Sequence, residues 1–293
     1  MIIFTLITNL WMFRAASIYL GSKSSSISYT CYTCATTQVF PFLNKCVVYI
    51  MHVLKRGVDL YVWRNIHLIK GRLFLFLMLF ILSVMLFVMN QFPYATVGVI
   101  LIPLAYVLGI YTYRKYLLWV SGVLGEDMVT KELEKLDDSY YLINGVVIPP
   151  NRGDTDHIVI GPNGIFVIES KNYGGEIECD GDSWIRYKIG KKGKRYELWI
   201  GSPSNQVKRN AKVLKDFILE HGNEIFDREI PHIWVHGILV FTNENVSVSV
   251  KNQTVDILRI EELSDYIENK TPELELREEE VRKIGRVIMK YSK

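Results

Sequence analysis

The sequence predicts a mixed α/β domain preceded by a two-helix membrane hairpin, and three observations carry that reading. Two uncharged apolar runs, residues 73–89 and 95–113, follow one another closely and are 17 and 19 residues long. Charge is divided along the chain: residues 1–120 hold ten Lys/Arg and one acid, Asp59, whereas residues 121–293 hold 24 Lys/Arg and 30 Asp/Glu. The second part intersperses short β-branched runs with longer helical patterns, the order of an α/β domain. At roughly 170 residues it is long enough to bury a core of its own.

Taken in order, residues 1–20 are apolar with Arg14 inside. No basic residue precedes this run and no small-residue cleavage site follows it, so it makes a poor signal peptide. Residues 21–50 are rich in Ser, Thr, Cys and Tyr and show no period that dictates an element. Cys31 and Cys34 form a C-x-x-C, but Cys46 and His52 do not supply a second pair at zinc spacing, which favours free thiols over a metal site. Residues 1–54 therefore stand as an N-terminal segment without assigned structure, and residues 55–115 as the membrane unit. Lys55, Arg56, Arg64, Lys70 and Arg72 precede its first run, Arg114 and Lys115 follow its second, and the turn at 90–94 has no basic residue. Helices rising about 1.5 Å per residue reach the ~30 Å of a hydrocarbon core at these lengths. The distribution of Lys and Arg places both flanks in the cytoplasm, and Pro103 would kink the second span, which a membrane tolerates.

Beyond the exit at 116–125, residues 126–136 read as an amphipathic helix with Met128, Val129, Leu133 and Leu136 on one face. Strands are expected at 140–148, 155–160, 165–171, 176–179, 184–189, 196–200, 233–241, 246–250 and 254–260. Helices are expected at 203–220, with Ser204 as N-cap, at 261–269, and at 272–291, where Pro272 suits a first turn. Trp184, Trp199 and Trp234 read as core.

The chemistry concentrates in the hairpin formed by 155–160 and 165–171. Gly161, Pro162, Asn163 and Gly164 are turn residues, and closing the turn on them sets Ile160 opposite Ile165. The ladder then brings Asp156 opposite Glu169 and Asp154 opposite Lys171, all four on one face. Like charges directly opposite one another destabilise a ladder. A divalent cation shared by Asp156 and Glu169 would offset the repulsion, and Mg²⁺ (or Mn²⁺) suits two carboxylates that leave it several waters. Such an ion lowers the pKa of a bound water beside a phosphodiester. Lys171 would position that water or stabilise charge on the phosphorus. Glu126 would reach the metal from its helix, and Gln206 would orient a carboxylate or a phosphate. A salt bridge between Asp154 and Lys171, with Asp156 solvated, is the competing reading.

Around these residues the chain resembles the NERD (nuclease-related domain) family of the PD-(D/E)xK nuclease superfamily. The resemblance rests on Gly125 and Glu126 opening a helix, on Gly153, Asp154, Thr155, Asp156 and His157, and on Gly161 through Gly174 with Glu169, Ser170 and Lys171. Trp184 and the helix opening Pro203, Ser204, Asn205, Gln206 complete it, over roughly residues 122–242. It implies a restriction-endonuclease-like mixed sheet flanked by helices, with Asp156, Glu169 and Lys171 as the catalytic set and Glu126 and Gln206 as accessory positions. Ser170 departs from the Thr or small apolar residue more usual there. Residues 243–293 read as strands and helices packing on this domain.

His157 should point away from the carboxylates and is read as structural before catalytic. Arg186, Lys188, Lys191, Lys192, Lys194 and Arg195 make a basic hairpin that either meets nucleic-acid phosphates or is a solvated tip. The expectation is a membrane protein with a cytoplasmic, Mg²⁺-dependent nuclease domain acting on nucleic acid, DNA before RNA. A tethered binding or signalling module of the same fold, without cleavage, is the alternative.

Overall fold

Alternation of apolar residues on both faces of the strands is what builds this domain. In the computed structural model, which describes residues 51–55, 60–89, 91–151, 153–190 and 193–292, these strands form two sheets. Expectations on residues 1–50, including Arg14, Cys31, Cys34 and Cys46, and on Lys191 and Lys192 lie outside the described residues.

The first sheet has six strands in the order β1-β2-β3-β4-β8-β10: β1 (His52–Lys55), β2 (Tyr141–Val146), β3 (Thr155–Gly161), β4 (Gly164–Lys171), β8 (Val235–Phe241) and β10 (Asp256–Arg259). Strands β2, β3 and β4 are antiparallel neighbours, and β4–β8, β8–β10 and β1–β2 are parallel pairs. One face carries Ile143, Ile158, Ile160, Ile165 and Val167. It is buried under α3 (Pro203–Glu220), α4 (Gly222–Ile225) and α6 (Glu278–Tyr291) through Leu214, Ile218, Ile225, Ile284 and Ile288. The other face carries Leu142, Val159, Phe166, Ile168, Ile238 and Val240, buried against Val129, Leu133 and Leu136 and against Leu263 and Ile267 of α5 (Leu263–Glu268). Helices on both faces explain why β3 and β4 are apolar throughout rather than alternating.

The second sheet, β7-β6-β5-β9, consists of β5 (Gly175–Asp180), β6 (Ser183–Ile189), β7 (Arg195–Trp199) and β9 (Val246–Lys251). Its inner face, Ile177, Cys179, Trp184 and Val246, packs on Val207 of α3 and on Leu239 and Phe241 of β8. The single mixed sheet expected from the sequence is thus corrected to two, joined where β4 runs on into β5 and β8 into β9.

Before this domain stand two helices long and apolar enough to cross a membrane, α1 (Leu60–Val88) and α2 (Tyr94–Leu133). Both helices extend beyond the expected spans. α1 begins before residue 73, and α2 continues through 126–133 as one helix, because 114–125 contains no proline to stop it. Pro103 lies inside α2 without ending it. The two helices meet closely at Gly98, where an added Cβ would come within 2.7 Å of the Ser83 and Phe87 backbone. A further correction concerns the segment before the hairpin. Residues 52–55 form an edge strand of the main sheet, and Met51 is buried with Val129 and Leu133. Both ends of the helical pair are therefore fastened to the same domain. At the other terminus the expected helix 272–291 starts only at Glu278, where Glu280 reciprocally caps Arg277.

Candidate functional site

The register of the central hairpin is the one that its turn residues dictate. Gly161 pairs with Gly164, Ile160 with Ile165 and His157 with Ile168. Gly164 adopts φ +145°, a conformation that favours glycine and closes the turn on Pro162 and Asn163. One step beyond the last backbone pair, Asp156 and Glu169 share a face. There the ladder gives way. The Ser170 amide donates to Asp156 Oδ2 at 2.8 Å, and the Ser170 hydroxyl lies 3.1 Å from the same oxygen. A carboxylate thus takes the place of a strand carbonyl at the point where β3 and β4 separate.

Glu169 is only 1% exposed. Its Oε1 accepts from Lys171 Nζ at 2.5 Å, while its Oε2 is buried and accepts from no N–H. Lys171 Nζ also reaches Gln206 Oε1, in the first turn of α3, at 3.4 Å. Burial first, and then the nearby Asp156 charge, push Glu169 up to about 8, against the opposing pull of Lys171. Burial likewise raises Asp156, opposed by Lys171, by the Ser170 hydrogen bonds and by a hydrogen bond with Glu169. Burial would lower Lys171, but Glu169 and Asp156 hold it above its ordinary value. The result is a set of two carboxylates and one ammonium in which the carboxylates resist ionising together.

The structure brings Asp156, Glu169, Lys171 and Gln206 together. The ion pair of Lys171 is with Glu169, not the alternative of a bridge to Asp154 that leaves Asp156 solvated. Glu126 lies on α2, which packs on the other face of the sheet through Val129 and Leu133. The residue before it marks the approach: a Cβ at Gly125 would lie 3.0 Å from Thr242 Oγ1 and 3.2 Å from Asn172 Cβ, just past the ends of β8 and β4. Asn172 clamps this end by donating to the Ser121 carbonyl at 2.9 Å. Among the described residues no three His, Cys, Asp or Glu side chains converge to hold a metal. Of the expected ligands Asp156, Glu169 and Glu126, the first two adjoin at the open end of the hairpin. That pair fits a hard divalent ion, because two buried carboxylates adjoin with only a shared proton between them, which an ion can replace.

Sequence reasoning missed Ser170. It stood out only as a departure from the usual residue, yet it is the group that fixes Asp156; a hydroxyl flanked by Glu169 and Lys171 was the available signal. Ser204 was also misread. Ser202 caps α3, its hydroxyl accepting from the Asn205 amide at 3.3 Å. Ser204 is buried instead and joins the Trp184 indole (2.9 Å) to Asp182 Oδ1 (2.7 Å). His157 is a buried structural histidine. Its Nδ1 lies 2.8 Å from Asn144 Oδ1, and burial pushes it down to about 3, so it stays neutral.

Of the basic hairpin, Lys188 and Lys194 are exposed. Arg195 is engaged by Glu176 (3.1 Å) and Glu178 (3.2 Å) and lies over the Tyr187 ring. Arg186 donates to the Gly174 carbonyl at 2.8 Å. Two tryptophans expected in the core are not there: Trp199, on the edge strand β7, is 86% exposed, and Trp234, just before β8, is 44% exposed. An edge position and a strand start leave each ring without a covering layer.

Residues 121–242 match the family model described as the nuclease-related domain, NERD. An uncharacterized protein of Bacillus anthracis is 48% identical over 61 residues, which are 20% of this chain and 29% of that protein. The chain thus spans well under two thirds of the length of this relative. No solved structure matches.

Proposed function

We propose that the nuclease-related domain formed by residues 121–242 hydrolyses nucleic-acid phosphodiesters, DNA before RNA, with Mg²⁺ or Mn²⁺, on a restriction-endonuclease-like core anchored to a membrane by α1 and α2. One observation carries the reading: two buried carboxylates, Asp156 and Glu169, meet at the end of a strand pair beside Lys171. Bound between these carboxylates, the ion would polarise the phosphate and acidify a water.

The chain's own residues account for the rest. Ser170 fixes Asp156, so one carboxylate is in place before any ligand arrives. Glu169, raised to about 8, is largely protonated at neutral pH and gives up that proton when a cation replaces it. Lys171, held charged by Glu169 and Asp156, offers its ammonium to the charge that develops on the phosphate oxygens. Gln206 Oε1 takes another of its protons and fixes the direction of the amine.

The test uses the full chain in detergent with single- and double-stranded DNA and with RNA, in Mg²⁺, in Mn²⁺ and in chelator. Asp156→Ala and Lys171→Ala are each expected to lower the cleavage rate at least about a hundredfold, of the order lost with a single group stabilising a transition state. Cleavage that persists in both variants rejects the assignment. The metal-binding pair, short of a third carboxylate, favours one second reading: a domain that binds nucleic acid without cutting it. Calorimetry separates the two, since absence of Mg²⁺ and Mn²⁺ uptake with DNA present supports the second.

A further inference from the structure

A groove of about 610 Å³ opens between α3 and the strands β8 and β10, away from the carboxylate pair. It touches β8 at residues 235–237, whereas Glu169 pairs with Leu239, so the two features stand about 7–13 Å apart along the strand at ~3.3 Å per residue. Lys208, Lys212 and Lys215 line one wall at helical spacing, a stripe along a single side of α3. Trp234 forms the floor at one end, 44% exposed, with Lys215 Nζ 6.0 Å from its ring centroid. Gln253 and Thr254 complete the opposite rim.

The charges in the groove are unequally used. Lys208 is tied to Asp182 at 2.6 Å, and Asp256 on the far wall is held by Tyr266 (2.6 Å) and Lys270 (3.6 Å). Among the described residues, neither Lys212 nor Lys215 has an ion-pair partner, Lys215 having only the Trp234 ring. An exposed indole beside two unneutralised ammonium groups, in a cavity of small-ligand size, asks for a ligand that is anionic at one end and has a flat π-face at the other. A fatty or purely apolar ligand would leave the lysines facing it, and a simple anion would leave the indole bare.

We infer that this groove is a nucleotide-binding site. The base stacks on Trp234 and the phosphate lies against Lys212 and Lys215. The nucleotide comes either from an unpaired stretch of a nucleic-acid strand or from a free mononucleotide; the strand as source rests on the nucleolytic reading above, whereas the chemistry of the groove does not. Stacking on an exposed aromatic tolerates any base, so the site binds without sequence preference.

The experiment titrates the full chain in detergent with a labelled single-stranded oligothymidylate and, separately, with AMP, reading anisotropy and tryptophan fluorescence. Trp234→Leu and the pair Lys212→Glu with Lys215→Glu are each expected to weaken binding about tenfold, a fold-change within the range of one lost base stack. Trp234→Phe retains most of the affinity, because a ring remains. These side chains are exposed or half-exposed, so the variants keep the fold, and an unchanged melting temperature verifies it. Sensitivity of the oligonucleotide identifies a strand; sensitivity of AMP alone identifies a free nucleotide; both uphold the site. Loss in the lysine pair without loss in Trp234→Leu reveals a plain polyanion surface and overturns it, as does absence of binding by either probe. Lys171→Ala keeps the two readings apart: it should abolish cleavage and leave groove affinity unchanged. Variant-sensitive binding in a chain that never cleaves would sink the nuclease reading and leave the groove standing.

Discussion

Glu169 shows how one side chain links the stability of the domain to its chemistry. Its pKa rises from an ordinary 4.5 to about 8, first through burial and then through Asp156. Between those values the folded chain binds more protons than the unfolded one, so unfolding becomes easier as pH rises. The stability conferred by the protonated form is full below about 4.5 and is lost as pH climbs through about 8. Thermal melts without metal should accordingly fall from pH 5 to pH 9. Glu169→Gln, which keeps the shape and cannot ionise, should exceed the wild type at the alkaline end by a few degrees, at about 2–4 °C per kcal/mol for a domain of this size. Mg²⁺ should close that gap by stabilising the ionised wild type alone. A difference that does not change with pH would show that the Glu169 carboxyl is not raised in the folded chain. At this scale the sequence was most legible. Turn residues fixed the register, and the register set Asp156 beside Glu169. What it did not show was how the ladder breaks. The Ser170 bond to Asp156 depends on where two strands part, and no periodicity encodes that.

At the scale of elements, the start of α3 decides whether Gln206 faces Lys171. The sequence located this helix well, because Pro203 and the apolar spacing of Val207, Leu214 and Ile218 are local signals. It did not distinguish the two serines, since a cap and a buried cross-link use the same hydroxyl. The structure separates them. Ser202 makes two long bonds, with the Asn205 amide and the Ser204 hydroxyl, whereas Ser204 satisfies a fully buried indole and accompanies Lys208 and Thr254 on Asp182. Those hydrogen bonds pull Asp182 down to about 2. Removing Ser202 costs at most about 1 kcal/mol, as for a weak cap. Removing Ser204 leaves the Trp184 N–H unpaired in the core, at about 1–3 kcal/mol. Denaturant melts of Ser202→Ala and Ser204→Ala should therefore rank with Ser204→Ala clearly the less stable, and that variant should also lose cleavage as the helix start shifts. The reverse order would remove Ser204 from its place as the link between β6 and α3. Strand β1 was illegible for a different reason. Four residues among basic neighbours carry no strand pattern, and only the open edge of β2 selects them.

The described residues form a domain interrupted after β1 by a helical hairpin. β1 precedes the hairpin and joins the sheet, and α2 leaves it and runs unbroken into the core at Val129 and Leu133. Lysine and arginine counts and apolar run lengths made the hairpin visible in the sequence, but the continuity of α2 was not, because the change from exposed apolar to core-facing residues looks like an element boundary. Continuity has a geometric consequence. Two ends fastened to one domain must emerge on the same side of any membrane that α1 and α2 cross. The same answer follows independently from the basic residues outside both runs. Between the helices the chain turns at Phe92, which is 88% exposed, and offers no basic group there. In a cysteine-free background, Gln91→Cys should react with a membrane-impermeant maleimide added outside intact cells, whereas Lys194→Cys on the β6–β7 turn should react only after the membrane is opened. Labelling of Lys194→Cys from outside, with Gln91→Cys reactive only once the membrane is opened, would reverse the orientation and leave the shared side intact. Labelling of neither from outside, with both reactive once the cells are lysed, would mean that the hairpin does not cross, and that α1 and α2 hide their apolar surface against another protein instead.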